Sequence, residues 1–265
     1  MTSEHPLADE PSSPDRHREQ QLAWNRQTAG AWPDWTDHRR QVGSLLCGAA
    51  QTPDDRLGIF GAGNCNDFEL DELLQKFASV ELFDWDREAV LAGVTRQQLA
   101  AVPRIKMVAP IDLRQPDPVS PHLEVAASIG MLSQWMLAVA QDAALQPPEI
   151  IAAAAAMRRQ HMENLWHRLQ PGGRGLVTFE YVSSDTLPAL AECSPEAVSP
   201  LTMAALSAGN FYTGLHPAAV LDTASKLAAA GLIEKPRLHS PWQWHFGVRT
   251  YAVTALSFEK RSSAG

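Results

Sequence analysis

The chain has 265 residues, 45% of them hydrophobic and 20% charged, enough apolar material to bury a sizeable core and too much for a disordered polymer. Its 22 Lys and Arg stand against 30 Asp and Glu, a formal charge of -8. A net-acidic surface repels phosphate backbones and anionic headgroups, which disfavours nucleic acid and membrane as partners and favours a small molecule. Three widely spaced cysteines, Cys47, Cys65 and Cys193, make no C-x-x-C pair, no disulfide framework and no thiolate zinc site. Residues 1–18 contain no apolar run of the secretory kind, and the most apolar long stretch, 125–145, is broken by Ser128, Ser133, Gln134, Gln141 and Asp142. These features together predict a cytoplasmic protein with no membrane segment.

Residues 1–18 carry Pro6, Pro11 and Pro14 among charges and serines and read as a disordered tail. A Trp-marked helical stretch follows, with Trp24, Trp32 and Trp35, then His38-Arg39-Arg40. The run R-L-G-I-F, Arg56 to Phe60, is short and apolar, as in a strand buried on both faces. After the turn G-A-G-N-C-N-D, residues Leu70, Leu73, Leu74 and Phe77 fall on one helical face. V-E-L-F, Val80 to Phe83, is a second strand, and Asp86 is placed to cap the helix beginning at Arg87.

The alternation continues with candidate strands at Ile105–Pro110 and Leu123–Ser128, then a helix through Gln134 and Trp135. A helix from Ile151 to Leu169 stops at Pro171-Gly172-Gly173, and Gly175–Val182 is a fifth strand. Pro217–Ala230 is a helix ended by Gly231, before strand-like runs at Trp242–Phe246 and Arg249–Phe258. Strands alternating with helices predict a mostly parallel α/β sheet with right-handed crossovers.

A glycine turn between a buried strand and a helix lets a ligand approach bare backbone near free N–H groups. Asp84 ends the next strand 21 residues after Gly63, the distance at which an acid accepts from ribose hydroxyls. A dinucleotide fingerprint requires Gly or Ala where Asn66 stands, and Asp67 after it would repel a pyrophosphate while suiting a ligand with an ammonium and a sulfonium.

From Arg56 to Phe258 the residues resemble the class I S-adenosylmethionine-dependent methyltransferase superfamily. L-G-I-F-G-A-G-N-C-N-D resembles its first motif, V-E-L-F-D-W-D the second and I-D-L the third. A-S-I-G-M-L-S-Q resembles the end of its fourth strand, and R-L-Q-P-G-G-R-G-L-V-T-F-E the turn into its fifth. The resemblance implies a Rossmann-like, doubly wound, seven-stranded sheet with a reversed C-terminal hairpin, formed by the last two strand-like runs. It divides the chain into a tail (1–18), an N-terminal helical cap (19–55) and an S-adenosylmethionine-binding domain (56–265). By the same resemblance Gly61, Ala62 and Gly63 line the methionine part of the cofactor and Asp84 holds the ribose. Trp85 lies on adenine, Asp112 and Leu113 meet the adenine edge, and Ser128 and Ile129 sit beside the reacting methyl.

The implied reaction is in-line methyl transfer to an unidentified small-molecule or protein acceptor. His245, His216, His161 and Glu180 are the candidate bases if the acceptor must lose a proton. Phe211, Tyr212, Trp242 and Trp244 are candidate walls of the acceptor pocket, although alternation of Trp242, Trp244 and Phe246 on one strand face is the pattern of a packed core. Cys65 reads as a small buried residue, Arg39 as a surface residue within possible reach of an anion, and the nine histidines form no metal-ligand spacing. Two other classes fit the pattern less well: a noncatalytic S-adenosylmethionine-binding or scaffold protein, and an NAD(P)-dependent oxidoreductase.

Overall fold

A computed structural model describes residues 13–114, 122–142 and 144–262, with side chains from Arg18 onward. Helix α1 (Ser13–Thr28) begins inside the stretch expected to be a tail, so that expectation is corrected from Ser13; residues 1–12 lie outside the described residues. A short turn of helix at Pro33–Trp35 leads into α2 (Thr36–Ala49). The alternating unit follows as β1 (Arg56–Phe60), α3 (Leu70–Leu74), β2 (Ser79–Phe83), α4 (Arg87–Arg96) and β3 (Ile105–Val108). Next come β4 (Leu123–Ser128), α5 (Met131–Ala140), α6 (Pro147–Arg168) and β5 (Leu169–Ser183). The last part contains α7 (Val198–Ser207), α8 (Pro217–Ala229), β6 (Ile233–Leu238), β7 (Trp242–Phe246) and β8 (Arg249–Lys260).

The sheet has eight strands in the order β3-β2-β1-β4-β5-β8-β6, with β7 also paired to β8. β1 to β5 are parallel, and β8 runs antiparallel to β5. The expected reversed hairpin is present but larger than the sequence predicted. β6 pairs with the C-terminal half of β8 and β7 with its N-terminal half, joined at the tip by Gly247 (φ 59) and Val248. β6 was not foreseen because E-K-P-R reads as polar and contains Pro236; the strand tolerates that proline because it lies at the sheet edge.

Both faces of the sheet are covered, which is why the parallel strands are nearly continuous apolar runs. On one face Leu57, Ile59, Val80, Leu82, Val125 and Ala127 pack with Val42 and Leu46 of α2, Leu73 of α3 and Val90 of α4. On the other, Phe60, Ala126, Val177 and Phe179 pack with Leu132 of α5, Met162 and Leu165 of α6 and Val220 of α8. Strand order reverses between β1 and its neighbours β2 and β4. The crevice of an open α/β sheet forms outside the carboxyl ends at that switch point.

Candidate cofactor cleft

Beyond β1 the chain turns through Gly61 (φ 81) and Gly63 (φ 47), left-handed conformations that glycine adopts without penalty. Gly61 and Ala62 donate to the Phe83 carbonyl at 2.9 and 3.2 Å, fixing the turn on the end of β2. Asp84 completes the tie: Oδ2 accepts from Gly63 N and Oδ1 from Asp86 N, both at 2.8 Å. Asp84 is only 9% exposed, and burial pushes its carboxyl above the ordinary value while the N–H donors pull it back. Asp86 caps α4 as expected, accepting from Ala89 N at 3.1 Å.

This turn forms the floor of a cleft of about 570 Å³, counted to its open mouth. Gly61, Gly63, Asp84, Trp85, Asp112 and Leu113 all line it, so six of the residues assigned to the cofactor by resemblance are brought together. Asp112 is engaged there by Arg114, whose Nε and Nη2 each donate to it at 3.0 Å. Two guanidinium groups lie over Trp85, Arg18 at 5.4 Å from the ring centre and Arg114 at 5.6 Å. Ala62 is buried behind the turn. Ser128 and Ile129 do not line the cleft; Met131, Gln134 and Trp135 do, one turn further along.

The expected helical cap, with Trp24, begins at this edge of the cleft, but its residues Gln21, Trp24 and Asn25, together with Arg18, Ile111 and Arg114, were not assigned to the cleft that they line.

None of the four candidate bases lines the cleft. His245 is exposed near the tip of the C-terminal hairpin and pairs with Thr250 Oγ1 at 2.9 Å. His216 caps α8, its Nδ1 accepting from Ala218 N at 3.1 Å. His161 is buried, 2.8 Å from Ser128 Oγ and edge-on to Trp135, and burial drives its pKa down to about 3. Glu180 is buried near the end of β5, where burial raises its pKa; its backbone N–H donates to Ser133 Oγ at 3.0 Å.

The four candidate acceptor walls, Phe211, Tyr212, Trp242 and Trp244, do not line this cleft. Trp242 Nε1 donates to His38 Nδ1 at 3.1 Å, which leaves the proton on Nε2 for Asp67 at 3.0 Å. Trp244 stacks on His38 with ring centres 4.5 Å apart and meets Trp35 edge-on. Asp67 is therefore committed to His38 rather than offered to a ligand, and Trp242 and Trp244 clamp α2 to β7. Phe211 packs against His216, and Tyr212 lies 6.4 Å from Tyr251. Arg39 is buried rather than at the surface, donating to Glu69, Trp32 O and Asn66 O. Burial raises the Cys65 thiol, in keeping with an inert structural role.

His161 has a measurable consequence. Its folded pKa lies far below the unfolded value of 6.5, so the stability it contributes is complete above pH 6.5 and is lost as the pH falls toward 3. We expect one proton's worth of slope across that window, about 1.4 kcal/mol per pH unit, and a flatter profile for His161→Gln. Chemical denaturation at a series of pH values measures both; parallel curves for the two proteins would show that His161 titrates normally.

Among the described residues no group of His, Cys, Asp and Glu is placed to hold a metal ion, and no helix is long and apolar enough to cross a membrane.

The sequence matches no protein-family description and no curated protein. Solved structures do match. The 1,6-didemethyltoxoflavin-N1-methyltransferase of Burkholderia thailandensis, with 1,6-didemethyltoxoflavin and S-adenosylhomocysteine bound, is 14% identical with a TM-score of 0.56, over 98% of this chain and 94% of that one. The N-methyltransferase NodS of Bradyrhizobium japonicum WM9 is 10% identical with a TM-score of 0.51, over 89% of this chain and 99% of that one. A methyltransferase of Methanosarcina mazei is 10% identical with a TM-score of 0.52, over 83% and 98%. The chain has the Rossmann-like fold of class I S-adenosylmethionine-dependent methyltransferases.

Proposed function

We propose that this protein is a methyltransferase that takes S-adenosylmethionine as cofactor and a small molecule as acceptor. The observation that carries the reading is that Gly61, Gly63, Asp84, Trp85 and Leu113, drawn from three loops, line one cleft at the switch point of the sheet. The chemistry of these groups fits the cofactor. Asp84 offers a buried carboxylate to ribose hydroxyls, Trp85 a flat aromatic face to adenine, and the glycine turn bare backbone to the methionine chain. A side chain at Gly63 would fill this space, its Cβ falling 3.2 Å from Asn25 Oδ1 of α1. When bound, the cofactor supplies a methyl group on a sulfonium, an electrophile with a neutral leaving group.

The work left to the protein is to orient the two reactants and exclude water. Met131 lies against Gly61, where a Cβ would come within 2.5 Å of its Cγ, and with Gln134 and Trp135 it supplies the cleft wall on the β4 side. With none of the four candidate bases in the cleft, the reading favours an acceptor whose nucleophile attacks without first losing a proton. The same observation favours a second reading, a cofactor-binding protein without turnover. A nicotinamide enzyme is disfavoured because Asn66, at the position where a dinucleotide fingerprint needs glycine or alanine, is buried and occupied with α1. The small-molecule acceptor draws support from the Burkholderia enzyme, whose bound 1,6-didemethyltoxoflavin is a small heterocycle and whose fold spans nearly the whole of this chain.

Calorimetry with S-adenosylmethionine, S-adenosylhomocysteine and NADH tests the cofactor. We expect both sulfur nucleosides to bind one per chain and NADH not to bind; the reverse pattern overturns the reading. Transfer of labelled methyl to a small-molecule extract separates an enzyme from a binding protein.

A further inference from the structure

Among the described residues four acids are buried: Asp55, Glu81, Asp84 and Glu180. Three of them have partners that hold a negative charge. Asp55 accepts from Gln51 N, Thr52 N and Thr52 Oγ1, Glu81 pairs with Lys106 and His122 at 3.0 Å each, and Asp84 accepts from Gly63 N and Asp86 N. Glu180 differs. The Ser133 hydroxyl is the neighbouring side chain that bonds its carboxyl, and the titratable groups near it are His38, Asp67 and Tyr251. His38 brings no positive charge, because its Nδ1 accepts from the Trp242 indole and its Nε2 proton goes to Asp67. A carboxylate taken out of water with so few partners is costly until a cation or further N–H donors meet it.

Its position decides what can meet it. Glu180 stands three residues beyond Val177, the register partner of Ser128 at the carboxyl end of β4. Gly130 N donates to Thr178 Oγ1 at 3.1 Å and Glu180 N to Ser133 Oγ at 3.0 Å, which ties the start of α5 to this strand end. A Cβ on Gly130 would meet only Glu180 Oε1 within 4 Å, at 3.6 Å, so at this partly exposed glycine no side chain covers the carboxyl. Ile129, one residue earlier, sets its carbonyl 3.0 Å from where a Cβ on Gly61 would lie, and Gly61 lines the cofactor cleft. By strand order Glu180 is two strands from β1 on the side opposite β2, whose end carries Asp84. The carboxyl therefore borders the cleft on the side away from the groups assigned to ribose and adenine.

We propose that Glu180 is the acceptor-binding residue and that the acceptor is a small amine, whose nitrogen faces this carboxylate as it takes the methyl group. The inference rests on the methyl-transfer reading above. The amine lone pair forms the new N–C bond while the C–S electron pair goes to sulfur. The sulfonium becomes a neutral thioether, and the nitrogen becomes an ammonium that keeps its protons until it leaves. Positive charge thus passes from sulfur to a nitrogen beside Glu180, so a negative charge fixed there favours the transition state over the neutral amine. No proton has to be removed first, in keeping with a cleft that none of the candidate bases lines. An alcohol acceptor gains nothing from the same group, since it must lose a proton and the carboxylate repels the anion that results. Tyr251, two residues from Val253, the register partner of Glu180, adds a half-buried aromatic ring on the same sheet face, a second group that attracts an ammonium.

The test uses the full chain with Glu180→Gln and Glu180→Asp, and two probes that need no acceptor. S-adenosylhomocysteine ends at a neutral sulfur; sinefungin carries an amine on the carbon that replaces sulfur and so sets an ammonium where the methyl would project. The parent is expected to prefer sinefungin. Glu180→Gln should reduce that preference about tenfold with S-adenosylhomocysteine affinity unchanged, and Glu180→Asp, which keeps the charge but draws it back by one methylene, should fall between. The amide fills the same space without a buried charge, so the melting temperature without ligand should not fall. Labelled product made from the small-molecule extract is expected to be retained by a cation exchanger at neutral pH. An unchanged preference in Glu180→Gln, equal weakening of both probes, or a product that passes the exchanger overturns the proposal. Binding of both probes with no labelled product overturns the acceptor assignment in favour of a binding protein. Failure of the parent to bind either probe instead brings down the cofactor reading, and the role of Glu180 with it.

Discussion

Asp84→Ala is expected to weaken S-adenosylhomocysteine binding by at least about tenfold and to lower the melting temperature as well. The affinity loss follows from removing a charged acceptor pair from the ribose site. The stability loss follows from geometry that the sequence did not disclose. A strand-end acid facing a crevice is expected to be dispensable to the fold, but this carboxylate accepts from Gly63 N and Asp86 N at 2.8 Å each and is nearly buried. Its removal strands two backbone donors, each costing about 1–3 kcal/mol where water does not replace the acceptor. Asp84→Asn separates the two roles. The amide oxygen keeps one acceptor and carries no buried charge, so stability should fall less than in the Ala variant while ribose binding still suffers. Calorimetry and thermal melts on both variants check this; parent-like affinity in both would place the ribose elsewhere.

The second large effect is expected at Gly93. This glycine lies mid-way along α4, where Ala is normally the more favourable residue by about 1 kcal/mol. Here a Cβ would fall 2.3 Å from Asn64 O, 2.6 Å from Asn64 C and 2.9 Å from Cys65 Cβ. The first two are backbone atoms of the glycine turn, which cannot swing aside as a side-chain tip can. Gly93→Ala must therefore push α4 away from the turn, and overpacking of this kind costs about 1–3 kcal/mol, more than the propensity gain. The displaced segment carries Asn64, which supports α1, so cofactor affinity should fall in step with stability. Gly48→Ala is the control: it is also helical, its Cβ would meet nothing within 4 Å, and it should be neutral or slightly stabilising. Equal melting temperatures for the two variants would show that the turn yields at little cost.

Sequence by itself determined the elements whose physics is local. Short apolar runs gave β1, β2 and β4, because a strand covered on both faces is apolar at most of its positions. The glycine turn and the strand-end acid Asp84 were legible because backbone conformation and a fixed spacing demand them. The alternation of Trp242, Trp244 and Phe246 placed those rings on one face, as the period of a strand requires.

What covers that face was decided only by tertiary structure. Trp35 and His38 meet the Trp stripe from more than two hundred positions away, so rings that could equally line a pocket became a clamp. The same holds for polar side chains. Nothing local distinguishes a histidine that caps a helix, as His216 does, from one buried on a serine, as His161 is; burial and partner decide, and both are long-range. α1 is the clearest case. Its tryptophan marks a cap but not where the cap docks, and its place over the cleft is set by hydrogen bonds with Asn64, Asn66 and Gln134, which come together only when the sheet brings β1 and β4 side by side.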